Sequence, residues 1–390
     1  MFDKIKIILN RICRFLTWII NLGQRFFCKI DTKKRYKVSS AAESKACAED
    51  YKKFKAYMSS FELPAPKREF KVFWPSMMEG GSNPIYMLPQ ETANIYIMPV
   101  LNPIPLREYF EDKNLFDKIL PPSTLPKTIL RRMGGKWYDA AYRLLSGEIL
   151  SLLNREAPGK EIVIKPSRHS SSGRGVDMFS LRDGHWVSKT NGRLLTEEEI
   201  RSVWGDEDLI VQEAFLQHEF MSQFNPTSVN TIRMYIYRSI ADGAPRYIWS
   251  GVRIGGKGSV VDNSHSGGIM IGLNPEGEFS DYGFDQWGNR ITEFNGINFK
   301  NSSLRLPWFE ELQDFAFKCS AYLFPNRLIA FDFTISPEGR PAVLEYNLRG
   351  YAPWCMQFAG TCPLGDYTDE ILEYVVAHKE LSRKFYYSIG

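Results

Sequence analysis

Apolar and polar positions alternate most legibly over Leu328–Gly350, LIAFDFTISPEGRPAVLEYNLRG. Two apolar runs, Leu328–Ile335 and Ala342–Tyr346, flank the turn signal Pro337-Glu338-Gly339-Arg340, so the stretch predicts a β-hairpin. With the turn centred on Glu338-Gly339, Asp332 lies directly opposite Glu345, and Asn347 projects from the same face two residues on. Two carboxylates and an amide side by side in an apolar hairpin repel and lose solvation unless a cation sits between them. Oxygen donors of this kind suit Mg²⁺ or Mn²⁺. The plainer alternative is the polar outer face of an antiparallel pair.

Helical periodicity dominates Met1–Cys28. Ile5, Ile8, Leu9, Ile12, Leu16, Ile19, Ile20 and Phe27 share one face; Lys4, Arg11, Arg14, Asn21, Arg25 and Lys29 share the other. The longest uncharged run, Phe15–Gln24, is far short of the roughly 20 residues of a spanning helix. The segment predicts a basic amphipathic helix (1–30) at a membrane surface, against the alternative of a helix docked on the body by its apolar face. Residues 31–68 read as a charged linker with one helix, Ala41–Phe61, and 69–125 as a small, irregular α/β piece rich in proline. Within the latter, Glu108–Leu120 reads as helical. Leu125–Leu130 then reads as extended and Tyr138–Asn154 as a helix.

Farther on, EIVIKPSRHSSSGRG (Glu161–Gly175) is a β run entering a Ser/Gly loop, with a second β run at Val176–Leu181. Small residues let backbone N–H groups approach phosphate oxygens, and Lys165 supplies a point charge at the strand end. It is no Walker A loop, since GxxxxGK[ST] is absent. Asp208–His218, DLIVQEAFLQH, is a strand ending in polar groups, with Gln212 or Glu213 in reach of a purine amine; a buried edge strand is the plainer reading.

Charge sharpens this picture. The net charge of +4 hides a basic N-terminus: ten Lys/Arg against two Asp in residues 1–40 leave the rest mildly acidic, which argues against nucleic-acid binding. Six cysteines without CxxC spacing point to reduced thiols in a cytosolic setting. GxSxG and HExxH are absent, and Asp332-Phe333-Thr334 lacks the glycine of a protein-kinase DFG.

Strand-KPS with a Ser/Gly loop, a strand ending QE, and D…ExN on a hairpin follow one another in an order that resembles the ATP-grasp superfamily. Asn225–Arg233 (NPTSVNTIR), Asp262–Gly268 (DNSHSGG) and Phe331–Asn347 resemble its sugar-transfer-associated branch, over roughly Leu101 to Tyr374. The resemblance implies an α/β (α+β) ATP-grasp fold. Its small subdomain would be 126–212 and its C-terminal subdomain 213–390, two antiparallel sheets clasping the nucleotide. It implies Lys113 and Lys165 as the nucleotide lysines, with Lys118 or Lys136 as substitutes for the first. Ser170, Ser171, Ser172 and Gly173 would form a flap over the triphosphate. Glu213, with the backbone of Ala214 and Phe215, would hold the adenine. Asp332, Glu345 and Asn347 would hold two Mg²⁺ ions. A family arginine two residues before the metal aspartate is replaced here by Ala330, and its role passes to Arg233, which a β run at Val229–Tyr237 delivers to the cleft. Gln217, His218 and Glu219 compete for the ribose. Arg253, Asp262, Asn263, His265, Gly267, Gly268 and Arg349 are acceptor-side candidates.

The implied function is an ATP-dependent carboxylate–amine ligase working through an acyl phosphate on a small-molecule or glycan substrate. It would act in cell-surface glycan synthesis, in the cytoplasm, peripheral to the inner face of the cell membrane. A kinase on the same fold, acting on a sugar or lipid-linked hydroxyl, and a non-catalytic nucleotide-binding scaffold are the alternatives.

Overall fold

The computed structural model describes residues 2–168, 173–259, 262, 267–301 and 303–382. Its frame is two antiparallel sheets. The first has six strands in the order β2-β1-β6-β3-β4-β5: β1 Thr128–Met133, β2 Lys136–Asp139, β3 Ile162–Pro166, β4 Asp177–Arg182, β5 His185–Ser188 and β6 Leu209–Glu213. The second has seven, in the order β11-β10-β9-β8-β7-β14-β15: β7 Thr231–Arg238, β8 Pro245–Ile254, β9 Ile269–Leu273, β10 Phe279–Phe284, β11 Arg290–Ile291, β14 Leu328–Ile335 and β15 Pro341–Asn347. A two-stranded ribbon of β12 Glu293–Phe294 and β13 Ile297–Asn298 stands apart. Mixed helix with antiparallel sheets is the α+β class expected, and the hairpin, β3, β4, β6 and β7 fall where the apolar runs put them.

Every residue of β14 is buried, which its unbroken apolar run requires. One face, Leu328 and Ala330 beside Tyr235 and Tyr237 of β7, packs on N-terminal helices. The other, Ile329, Phe331, Phe333 and Ile335, packs on helix Phe309–Tyr322. The six-stranded sheet rests Ile162, Ile164, Leu209 and Val211 on helices Ile149–Glu156 and Glu197–Trp204. All six cysteines are free thiols.

Four expectations change. Residues 31–68 are packed chain: helix α2 (Lys45–Ser60), which follows α1 (Phe2–Arg35), buries Cys47, Phe54 and Met58. Next, the stretch KVFWP at the start of the 69–125 piece, read as irregular α/β, lies in helix α3 (Lys67–Glu79). Phe70, Phe73, Trp74 and Met77 fall at i, i+3, i+4 and i+7 on one buried face, which outweighs the helix-breaking Pro75. No strand occurs among the described residues 31–127. Finally, the helix expected over Tyr138–Asn154 is the end of β2, an irregular turn and helix Ile149–Glu156. Gly134 and Gly135, at φ +55° and +75°, turn β1 back into β2, and Asp139 Oδ1 then accepts the N–H groups of Ala141 and Arg143, stopping the strand. The helix expected over Glu108–Leu120 is likewise broken, into Ile104–Phe110, a 3₁₀ turn at Lys113–Leu115 and Phe116–Ile119.

Asn102 staples the hairpin to this frame. Its amide donates to the carbonyls of Leu328 (2.7 Å) and Leu348 (2.9 Å) and accepts from the N–H groups of Arg327 and Leu328 (both 3.0 Å). It ties the first residue of β14 to the chain just past β15 and is fully buried. Removing it strands backbone groups at both hairpin ends. Asn102→Ala is expected to lower unfolding stability by roughly 2–4 kcal/mol in urea titrations; a loss within the error of the titration removes the staple.

Candidate active site

The site is built around β14, where register decides which side chains meet. Asp332 stands opposite Glu345 on β15 and opposite Arg233 on β7. The turn is centred on Glu338, since Ile335 pairs with Pro341 and the Ser336 N–H donates to the Arg340 carbonyl, half a step from the Glu338-Gly339 centre expected. A bulge that accommodates Leu344 restores the expected pairing between Asp332 and Glu345.

Asp332 is only 3% exposed, and two guanidiniums compensate its burial. Arg233 binds it in bidentate fashion, Nε to Oδ1 at 2.8 Å and Nη2 to Oδ2 at 2.6 Å, and Arg253 Nη1 approaches Oδ2 at 3.3 Å. Burial alone would raise the Asp332 carboxyl, but Arg233 and then Arg253 outweigh it and hold it below its usual value. Arg253 also reaches Asp262 Oδ1 at 3.3 Å, and the Thr231 hydroxyl donates to the other Asp262 oxygen. Asp262 is raised, burial prevailing over Arg253 and Thr231. Asn347 Nδ2 lies 3.5 Å from Asp332 Oδ2, so the amide joins the cluster.

A second group forms beside it. Lys113, on the 3₁₀ turn Lys113–Leu115, is buried and places its Nζ 2.8 Å from Glu345 Oε1. Its backbone N–H donates to the Ser167 carbonyl (2.9 Å), fixing it against the end of β3, which carries Lys165. Lys118 instead lies over the Tyr142 ring and Lys136 is exposed on β2, so of the three it is Lys113 that meets the hairpin carboxylate. Burial lowers Lys165 to about 8 from an ordinary 10.5; Lys113 pushes the same way and Glu345 opposes.

The donor set suits a hard divalent cation. Asp332 and Glu345 are paired across one hairpin with Asn347 alongside, and each carboxylate already draws a cationic side chain to it. Among the described residues no three carboxylate, imidazole or thiolate groups are placed to hold a metal ion together, so Asp332 and Glu345 would need the Asn347 amide beside them.

Other candidates are engaged elsewhere. Glu213 pairs with Lys160, a partner the sequence reading missed, and the Ala214 N–H donates to the Glu161 carbonyl (2.9 Å), so that group is not open to a purine. Gln212 lies in β6, an interior strand between β1 and β3, and donates to the Pro126 carbonyl at 3.3 Å; Phe215 is half-buried. His218 Nδ1 caps helix Glu219–Ser222 by accepting from the Phe220 N–H, and its ring packs edge-on to Trp308. Gln217 is taken up by Asn225, Ser228 and Asn230, while Glu219 is exposed. Arg349 pairs with Glu108 and Glu111 beside helix Ile104–Phe110. Gly173 has φ +71°; Gly267 is exposed at φ +82° and Gly268 buried just before β9. Ser170, Ser171, Ser172, Asn263 and His265 lie outside the described residues. Thr231, the hydroxyl partner of Asp262, was not foreseen; nothing in TIRMY marks it off from an ordinary strand threonine.

The family profile described as Sugar-transfer associated ATP-grasp matches residues 93–371, almost three-quarters of the chain. The chain belongs to this family. No curated protein matches. Among solved structures, the ATP-grasp ligase PsnB with its minimal precursor is similar at 11% identity and TM-score 0.36, over 69% of this chain and 62% of that one. The D-alanine-D-alanine ligase from Coxiella burnetii is similar at 13% and 0.36, over 70% and 59%, and the D-cycloserine synthetase DcsG at 13% and 0.35, over 72% and 73%. The chain thus spans under two-thirds of the PsnB length. Identities and scores this low carry no weight for substrate or reaction.

A buried lysine lowered to about 8 has a measurable consequence if Lys165 meets nucleotide phosphate. Near that pH the free protein holds Lys165 about half protonated, and a phosphate-rich anion beside it favours the charged form, so binding draws in protons. Calorimetric titration with Mg-ADP at pH 8 in buffers of different ionisation enthalpy is expected to show uptake of up to about half a proton, absent in Lys165→Met. Equal uptake in both proteins removes Lys165 from the site.

Proposed function

We propose that this protein is an ATP-dependent carboxylate–amine ligase of the ATP-grasp type. The observation that carries the reading is the convergence of Lys113, Lys165, Arg233 and Arg253 on Asp332, Glu345 and Asp262. Four cations face three carboxylates, a surplus that suits a triphosphate with its divalent ions and leaves room for an anionic acceptor. Mg²⁺, two ions in our reading with Mn²⁺ as substitute, would be held by Asp332, Glu345 and Asn347 and would neutralise phosphate charge.

In the first step an oxygen of the substrate carboxylate attacks the γ-phosphorus, the bond to the β–γ bridging oxygen breaks, and ADP leaves. In the second an amine nitrogen attacks the acyl carbon, the carbon–oxygen bond to phosphate breaks, and the amine gives up a proton. Lys113 and Lys165 hold phosphate oxygens as point charges, and Arg233 stabilises charge on the transferring phosphoryl group. Arg253 orients the carboxylate, tethered by Asp262, with Gly267-Gly268, Asn263 and His265 around the acceptor. Ser170–Gly173 cover the triphosphate, while Gln212, Glu213, Phe215 and His218 border the adenosine. This assigns 126–212 and 213–390 as the two halves of the clasp, with 69–125 ahead of them and Arg349 at the rim. Cell-surface glycan synthesis is the proposed setting, on the family's association with sugar transfer. The protein would work in the cytoplasm, peripheral to the inner face of the cell membrane, with 1–30 as the contact.

Hydroxylamine trapping tests the reaction class. With Mg-ATP and a panel of amino-acid and uronic-acid carboxylates, an acyl phosphate is captured as a hydroxamate with release of ADP, whereas a kinase yields a stable phosphoester and a scaffold consumes no ATP. Asp332→Asn and Glu345→Gln are each expected to lower ATP turnover by about a hundredfold or more. Unchanged Mg-dependent turnover in Asp332→Asn overturns the metal assignment.

A further inference from the structure

Helix α1 is docked the wrong way round for a helix covering a soluble body. The side turned to the protein is mostly polar: Thr17 and Thr32 are buried with Cys28 between them, Asn21 and Gln24 are half-buried with Leu9 and Cys13, and Arg25 pairs with Glu91 at 3.4 Å and donates to the Tyr96 hydroxyl. The side turned outward is apolar. Phe15, Ile19 and Phe26 are 59%, 44% and 67% exposed, with Ile12 and Leu22 on the same outward arc and Trp18 at its flank.

At 1.5 Å per residue the strip from Ile12 to Phe27 is about 22 Å long. Its outward arc carries no charge, yet exposed Arg11 and Arg14 stand at one end and exposed Lys29, Lys33 and Lys34 at the other. No described helix is long and apolar enough to cross a bilayer. An apolar strip of this length, held outward by polar anchoring and bracketed by cations, fits the boundary between lipid headgroups and acyl chains. The basic ends match anionic headgroups.

We infer that α1 lies in the plane of an anionic bilayer, with Ile12, Phe15, Ile19, Leu22 and Phe26 inserted and the basic residues on the headgroups. This deepens the membrane-peripheral part of the function proposed above and is independent of what the ATP site does. The exposed strip is the part of α1 free to insert, because Arg25, Cys28 and Thr32 keep the opposite side on the protein.

Flotation of the full chain with vesicles of phosphatidylcholine alone or mixed with phosphatidylglycerol tests it. The chain is expected to float with the mixed vesicles, to bind pure phosphatidylcholine at least tenfold more weakly, and to lose binding as salt rises. The triple variant Phe15→Glu, Ile19→Glu, Phe26→Glu is expected to lower partitioning roughly a hundredfold. Because these side chains are exposed, its circular dichroism and its Mg-ADP binding stay unchanged. Glu345→Gln is expected to float like the wild type, so a failed ligase assignment leaves this result standing. The inference is overturned if the wild-type chain stays with neither vesicle. Equal binding by the triple variant overturns it too. So does a wild-type dimer, without flotation, that the triple variant turns into a monomer, since a second copy then covers the strip.

Discussion

The bidentate pair between Asp332 and Arg233 is the contact on which the rest of the site depends. A carboxylate in the middle of a buried strand is costly unless its charge is matched and its lone pairs are filled. Here the match is made across one rung of the sheet, Arg233 facing Asp332 in register, so strand pairing and charge pairing enforce each other. A one-residue slip of β14 against β7 would put Phe331 or Phe333 beside the guanidinium and turn the carboxylate toward the apolar layer on helix Phe309–Tyr322. The pair therefore excludes the neighbouring registers as well as stabilising the observed one.

From that rung the site grows outward along two lines. Toward β15 the bulge at Leu344 brings Glu345 across from Asp332, and Lys113 meets Glu345 from the 3₁₀ turn in front of the six-stranded sheet. Toward β8, Arg253 links Asp332 to Asp262. The first line joins the two sheets, since the Lys113 backbone is bonded to Ser167 beyond β3 while its side chain reaches β15. The second line runs along the larger sheet from β14 to Arg253 of β8 and leaves it at Asp262, in the segment between β8 and β9.

What the sequence made legible follows from how local each signal is. The hairpin announces itself through Pro337-Glu338-Gly339-Arg340 between two apolar runs, and Asp332, Glu345 and Asn347 come with it. The bulge at Leu344 leaves no mark in the sequence; the expected pairing was reached because a half-step error in the turn centre and the unseen bulge cancel at Asp332. Lys113 was legible only through resemblance, because Glu345, the carboxylate it meets, lies more than two hundred positions away. The end of β6 was the least legible. Glu213 in QEAF reads either as a purine contact or as a satisfied strand-end carboxylate, and Lys160 takes it up, a pairing of which periodicity carries no trace. Tyr138–Asn154 misled because its apolar spacing is helical while Gly134, Gly135 and Asp139 impose a hairpin and a stop.

Helix α1 separates two questions that a periodic pattern merges. Spacing reveals that a helix is amphipathic; which side meets the protein is settled by what the protein offers. Near α1 the body offers Glu91, with Glu69 behind it, and burial raises both carboxyls, Glu69 to about 7. Arg25 answers that demand, and with it come Thr17, Cys28 and Thr32 on the same side of the helix. Placing the apolar side inward instead would bury Phe15 and Ile19 but leave Glu91 without Arg25 in a poorly solvated place, a loss of the same order as the gain from two apolar side chains. The Arg25–Glu91 pair thus favours the polar side of α1 inward, with the apolar strip facing outward.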